Sequence, residues 1–63
     1  MEHFVIGMSE DVEAEYGQRA DAPVTLLSIC EGEIYCVEGF KTISGAKDQL
    51  LAECIEMPSY EIL

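Results

Sequence analysis

Positive charge is what this sequence has least of. Arg19, Lys41 and Lys47 are its only basic residues against thirteen carboxylates in 63 positions, and the formal net charge is −10. A surface so anionic repels phosphate backbones and anionic lipid heads, both of which recruit Lys and Arg. Direct binding to DNA, RNA or membrane is not expected, and basic protein surfaces remain as the complementary partners. Long apolar runs are missing too. None approaches the ~20 residues of a membrane span, and no basic segment precedes an apolar stretch at the N-terminus, so a soluble, unprocessed chain is expected. Cysteine is sparse and odd in number: Cys30, Cys36 and Cys54 without a secretory signal read as thiols in a reducing compartment, the cytoplasm, and not as a disulfide framework.

Catalytic constellations are absent as well. The single histidine, His3, has no evident nucleophile beside it, and the serines fall at turns and caps. No triad or acid–base pair can be named, so a non-enzymatic role is expected. Cys30 and Cys36 lack CxxC spacing, and a two-residue turn between them would send the two thiols to opposite faces of a hairpin, which argues against structural zinc. Glu10, Asp11, Glu13 and Glu15 lack the D-x-D-x-D-G arrangement that wraps a chain around calcium. No metal and no cofactor is expected.

What is present is apolar pattern. Hydrophobic residues make up 49% of the chain, and they sit in runs, unlike a solvated acidic tail. HFVIGM, residues 3 to 8, reads as a first strand. Ser9 can cap a short helix with Glu10, Asp11 and Glu13 in its first turns, where the helix dipole favours carboxylates, and Val12 and Tyr16 share one side of it. Gly17 ends that helix, and residues 17 to 23 read as a loop before Pro23.

VTLLSIC (24 to 30) and EIYCVEG (33 to 39) flank Glu31-Gly32, a hairpin signal. Counting outward from the turn pairs Ile29 with Ile34 and Leu27 with Cys36 on one face, and Ser28 with Tyr35 and Leu26 with Val37 on the other. Both faces are then apolar, and both need cover. From Ser44, a good N-cap, Ala46, Leu50, Leu51, Cys54 and Ile55 recur at helical spacing. Pro58 stops that helix, and SYEIL, 59 to 63, alternates as a last strand. The expected fold is one α+β domain, residues 1 to 63, ordered β-(α)-β-β-α-β. Its sheet is small and mainly antiparallel, with one principal helix at 45 to 55 on one face.

The stretch GFKTISGAKDQLLAEC, residues 39 to 54, resembles the strand, short loop and Ala-Lys helix of small phage and mobile-element proteins, among them anti-CRISPR and host-enzyme inhibitors. The resemblance implies a β-sheet-plus-helix miniprotein, phage-encoded and acting in the cytoplasm of a bacterial host, and it transfers no site residues.

The function expected on this basis is a non-enzymatic inhibitor that presents a DNA-mimic-like acidic surface to the basic, nucleic-acid-binding surface of a defence or host nucleic-acid-processing protein. For this mass the folded surface is about 4,000 Å², or about 400 Å² for each net charge. The candidate contact residues are Glu10, Asp11, Glu13 and Glu15, then Glu31 and Glu33 at the hairpin tip. Val24, Leu26, Tyr35 and Val37 form an apolar patch if residues 9 to 22 leave them uncovered. That patch sustains an alternative, a structural or regulatory subunit or a homodimer that binds through the apolar sheet face.

Overall fold

The computed structural model describes all 63 residues as β1 (Glu2–Met8), α1 (Ser9–Tyr16), β2 (Val24–Cys30), β3 (Glu33–Phe40), α2 (Ile43–Glu53) and β4 (Tyr60–Ile62). The four strands form one sheet in the order β3-β2-β1-β4. β1–β2 and β2–β3 are antiparallel, and β4 runs parallel to β1. The α+β class and the mainly antiparallel sheet are as the periodicities indicate. β4 is parallel because α2 is a crossover: it leaves the end of β3 and returns the chain past β2 and β1, so the last strand starts where β1 starts. No helix is long and apolar enough to cross a membrane.

Alternation along the strands sorts the core into two layers. Phe4, Ile6, Val24 and Leu26 face Ala46 and Leu50 of α2, with Phe40, Ile43, Cys54 and Tyr60 packed around them. On the other face Val5 and Leu27 meet Val12 of α1, bordered by Tyr16, Ile29, Ile34 and Val37. The cover that the second face needs is therefore α1, which lies over β1 and β2 and not over β3. Thirteen residues are buried, the thin core that so short a chain permits.

The hairpin departs from simple counting. Ile29 pairs with Ile34 as expected, but a bulge opposite Ser28/Ile29 leaves Tyr35 unpaired and shifts the rest, so Ser28 faces Cys36, Leu27 faces Val37 and Leu26 faces Glu38. One extra residue exchanges the two faces of everything beyond it. Val37 thus joins Leu27 on the α1 side, while Val24 and Leu26 lie under α2. Cys30 and Cys36 consequently share the α2 face, contrary to the opposite faces that the unbulged hairpin implies. The turn itself is as expected, with Glu31 at φ 53° and Gly32 at φ 80°, the pair of positive values that an I′ hairpin turn requires.

The helix ends also differ from expectation. Thr42, not Ser44, caps α2, its side-chain oxygen accepting from the Gly45 N–H at 2.9 Å. α2 stops at Glu53, which leaves Ile55 outside the helix and fully exposed. Ser9 is not a cap but the first residue of α1, and it is buried. Its hydroxyl donates to the Ala22 carbonyl and so must accept from the Thr25 hydroxyl, 2.7 Å away, while Thr25 Oγ1 accepts from the Ala20 N–H at 3.0 Å. This hydrogen-bonded chain holds the 17 to 23 loop against β2, and Gly17, at φ 77°, ends α1 as expected.

Candidate acidic interface

The topology distributes the charges unevenly. Phe40 pairs with Val24, and Val24 with Met8, so Lys41 sits at the Met8 end of the sheet. Arg19 lies at that end too, in a shallow groove with Met8, Glu10 and Asp11, and Lys47 belongs to the first half of α2. The opposite end gathers Glu2, which pairs with Cys30, the hairpin tip with Glu31 and Glu33, Glu53 at the end of α2 and Glu56 just beyond it. No lysine or arginine lies in an ion pair: the two charge contacts are the terminal amine with Glu31 at 3.9 Å and His3 Nε2 with Glu61 Oε1 at 3.4 Å. Glu15 and Arg19, four residues apart as helical ion pairs are, form no such pair. Arg19 donates instead to the backbone carbonyls of Ala20 and Ala22, at 3.2 and 3.5 Å.

Of the residues proposed from sequence, Glu10, Asp11, Glu13 and Glu15 are exposed along α1, and Glu31 and Glu33 are exposed at the hairpin tip. The two groups occupy different elements. Tyr35 is exposed and lies near the second group, its phenol donating to Glu2. That hydrogen bond, then desolvation, raises the Tyr35 pKa above its ordinary value. Leu26 and Val24 are buried under α2 and unavailable to a partner, and Val37 lies on the other face. The apolar patch expected of Val24, Leu26, Tyr35 and Val37 is therefore not one surface. The bulge and the two helices remove it.

Sequence reasoning missed two features. The first is a cluster around His3, which does have a hydroxyl neighbour: Ser59 Oγ is 3.1 Å from Nδ1, and Glu61 Oε1, 3.4 Å from Nε2, also accepts from the Tyr16 phenol at 3.1 Å. A carboxylate can only accept, so in the neutral ring Nε2 carries the proton and Nδ1 accepts from Ser59. Half exposed, these contacts clasp the β4 segment to β1 and α1, 45 to 58 residues apart in sequence. Desolvation first, then the Glu61 bond, raises the Tyr16 pKa.

The second feature is a groove of about 790 Å³ between the end of α2 and the start of β1, lined by Glu2, Phe4, Glu53, Ile55, Glu56 and Met57 among others. Nothing in the helical periodicity announces it, because it depends on α2 ending two residues before Ile55. Nearby, burial and the adjacent Glu38 carboxylate push the Cys36 thiol upward, away from the reactive thiolate.

The fold class is thus a small α+β protein with a four-stranded mixed sheet and a helix on each face. In comparisons with protein-family models, curated proteins and solved structures, nothing matches the chain.

Proposed function

We propose that this protein is a non-enzymatic inhibitor of the phage type, which binds the basic nucleic-acid-binding surface of a defence or host nucleic-acid-processing protein. The supporting observation is a carboxylate coat left without Lys or Arg partners. A surface of 4115 Å² divided among ten net negative charges leaves about 410 Å² for each. Along the longest Cα extent of 29 Å, ten net charges amount to one per about 2.9 Å, between a single strand at about 3.4 Å and duplex DNA at about 1.7 Å. A groove built to hold a polyanion meets a comparable linear charge on a rigid scaffold.

Two details favour a positive role for the acids over mere solubility. Glu31 occupies a left-handed turn position ordinarily taken by Gly, Asn or Asp, at a conformational cost of about 1 kcal/mol. Glu53 ends α2 where the helix dipole disfavours a carboxylate. The test is affinity capture from bacterial lysate at low and high salt, with the native chain and with Glu10, Asp11, Glu13 and Glu15 all changed to Gln. Nucleic-acid-binding proteins should be retained at low salt, released at high salt and lost from the variant. Equal capture by the variant, resistant to salt, refutes the reading.

A further inference from the structure

We infer that the groove between the end of α2 and the start of β1 docks a cationic amphipathic segment of a partner protein, one with apolar side chains on one side and Lys or Arg on the other. The inference rests on the reading above that the partner is basic, and it adds where the partner's segment sits and what that segment must look like. At about 790 Å³ the groove has room for a few side chains. Phe4 lies at its wall, and Ile55 and Met57 stand at its rim 103% and 82% exposed. Single exposed apolar side chains are ordinary; two of them, with Met1, around one depression form a place for an apolar anchor.

The charge around the groove selects the rest of the segment. Its charged side chains are Glu2, Glu53 and Glu56, no lysine or arginine lines it, and the one cation of its lining residues, the Met1 amine, is 3.9 Å from the Glu31 carboxylate. The carbonyl end of α2 opens beside Glu53, so an arriving ammonium or guanidinium meets a carboxylate and the negative pole of a helix together. A second copy of this chain is the wrong occupant, because it would bring ten more net negative charges and the same three carboxylates. An anionic bilayer is repelled for the same reason.

The groove can be tested with three synthetic helical peptides: one built of Leu and Lys on opposite faces, one with every Leu changed to Ser, and one with every Lys changed to Glu. Binding is followed by NMR shifts of the Ile55 and Met57 methyl groups and by titration calorimetry. The Leu/Lys peptide should bind at least tenfold more tightly than the Ser form and move those two methyls, and the Glu form should not bind. Changing both Ile55 and Met57 to Ser should reduce Leu/Lys affinity to that of the Ser peptide. Both residues are exposed, so thermal melts should show the fold intact.

Equal binding of the Leu/Lys and Ser peptides, or shifts confined to α1, overturns the inference, as does a dimer in sedimentation analysis that protects Ile55 without peptide. The two readings fail separately. The Ile55/Met57 variant keeps every carboxylate of α1, whereas the Gln variant of α1 keeps the groove and should bind the Leu/Lys peptide as the native chain does.

Discussion

The two faces of the sheet are held by different means. Against one, α2 lays a stripe of Ile43, Ala46 and Leu50, continued by Cys54 just past its end, onto an apolar layer of four buried strand residues. Against the other, α1 buries a single aliphatic side chain, Val12, on Val5 and Leu27. Hydroxyls make up the difference: Ser9 and Thr25 fix the start of α1 and its exit loop, and Tyr16 ties its end to Glu61. One helix is held by packing; the other is clipped down at its ends. The clipped helix is also the one that carries Glu10, Asp11, Glu13 and Glu15 outward. A helix that needs little apolar surface can devote the rest of its circumference to carboxylates, and that links the fold to the proposed function.

The contrast is tested most forcefully by truncating the buried residue of each helix. Leu50→Ala should cost about 2–5 kcal/mol, a large part of the roughly 3–9 kcal/mol that a domain of this length has in total. Val12→Ala should cost less, about 1–3 kcal/mol, because fewer methyl groups are lost. Urea melts of the two variants decide the matter. A larger loss for Val12→Ala would mean that α1, not α2, is the principal packing element.

The polar clip comes next in size. Ser9→Ala leaves the Ala22 carbonyl without its hydroxyl donor and the Thr25 proton without an acceptor, at about 1–3 kcal/mol for a buried site. Its signature should be local: amide exchange should accelerate in residues 17 to 23 and the first turn of α1, and stay slow in α2. Uniform acceleration would show that the clip is not confined to its own face.

Gly39→Ala should have a similar or smaller effect. A Cβ there would stand 2.7 Å from Ala22 Cβ and 3.1 Å from Ala20 Cβ, so the loop that accompanies α1 must lift from β3, at about 1–3 kcal/mol. Fluorescence or exchange probes on α2 should not notice.

The same contrast explains what sequence reading could reach. α2 and the strands are legible because apolar residues recur at helical or alternating spacing, and the Glu31-Gly32 turn is a local chemical signal. The fastening of α1 is not legible, because a serine at a helix start looks like a cap whether its hydroxyl turns to the helix N–H groups or, as Ser9 does, to Thr25 and Ala22. The bulge at Tyr35 has no local marker, since glycine and proline are both absent from EIYCV, and a single unpaired residue moved Val37 to the face opposite Leu26. Ile55 continues the stripe of α2 in sequence but not in space, because the helix has already ended. The acids of α1 and the hairpin tip were visible as composition; the grouping of Glu2, Glu53 and Glu56 around a groove needed the crossover to β4.

The smallest expected effect is also the one that separates the faces by chemistry alone. Tyr16 belongs to the α1 face, and its pKa is raised above the ordinary value of about 10, first by desolvation and then by the hydrogen bond and charge of Glu61. Because the folded-state value lies above the unfolded one, the phenol's contribution to stability is fully present below about pH 10 and is lost as pH rises through the folded-state value. Tyr16→Phe should therefore melt closer to the native chain at pH 11 than at pH 8. Glu61→Gln should lower the phenol titration midpoint at 295 nm only part of the way, since desolvation, the larger cause, remains. A midpoint unmoved by Glu61→Gln would mean that the carboxylate does not reach the phenol in solution, and α1 would then be held by Val12 and the Ser9 clip without a polar tie at its end.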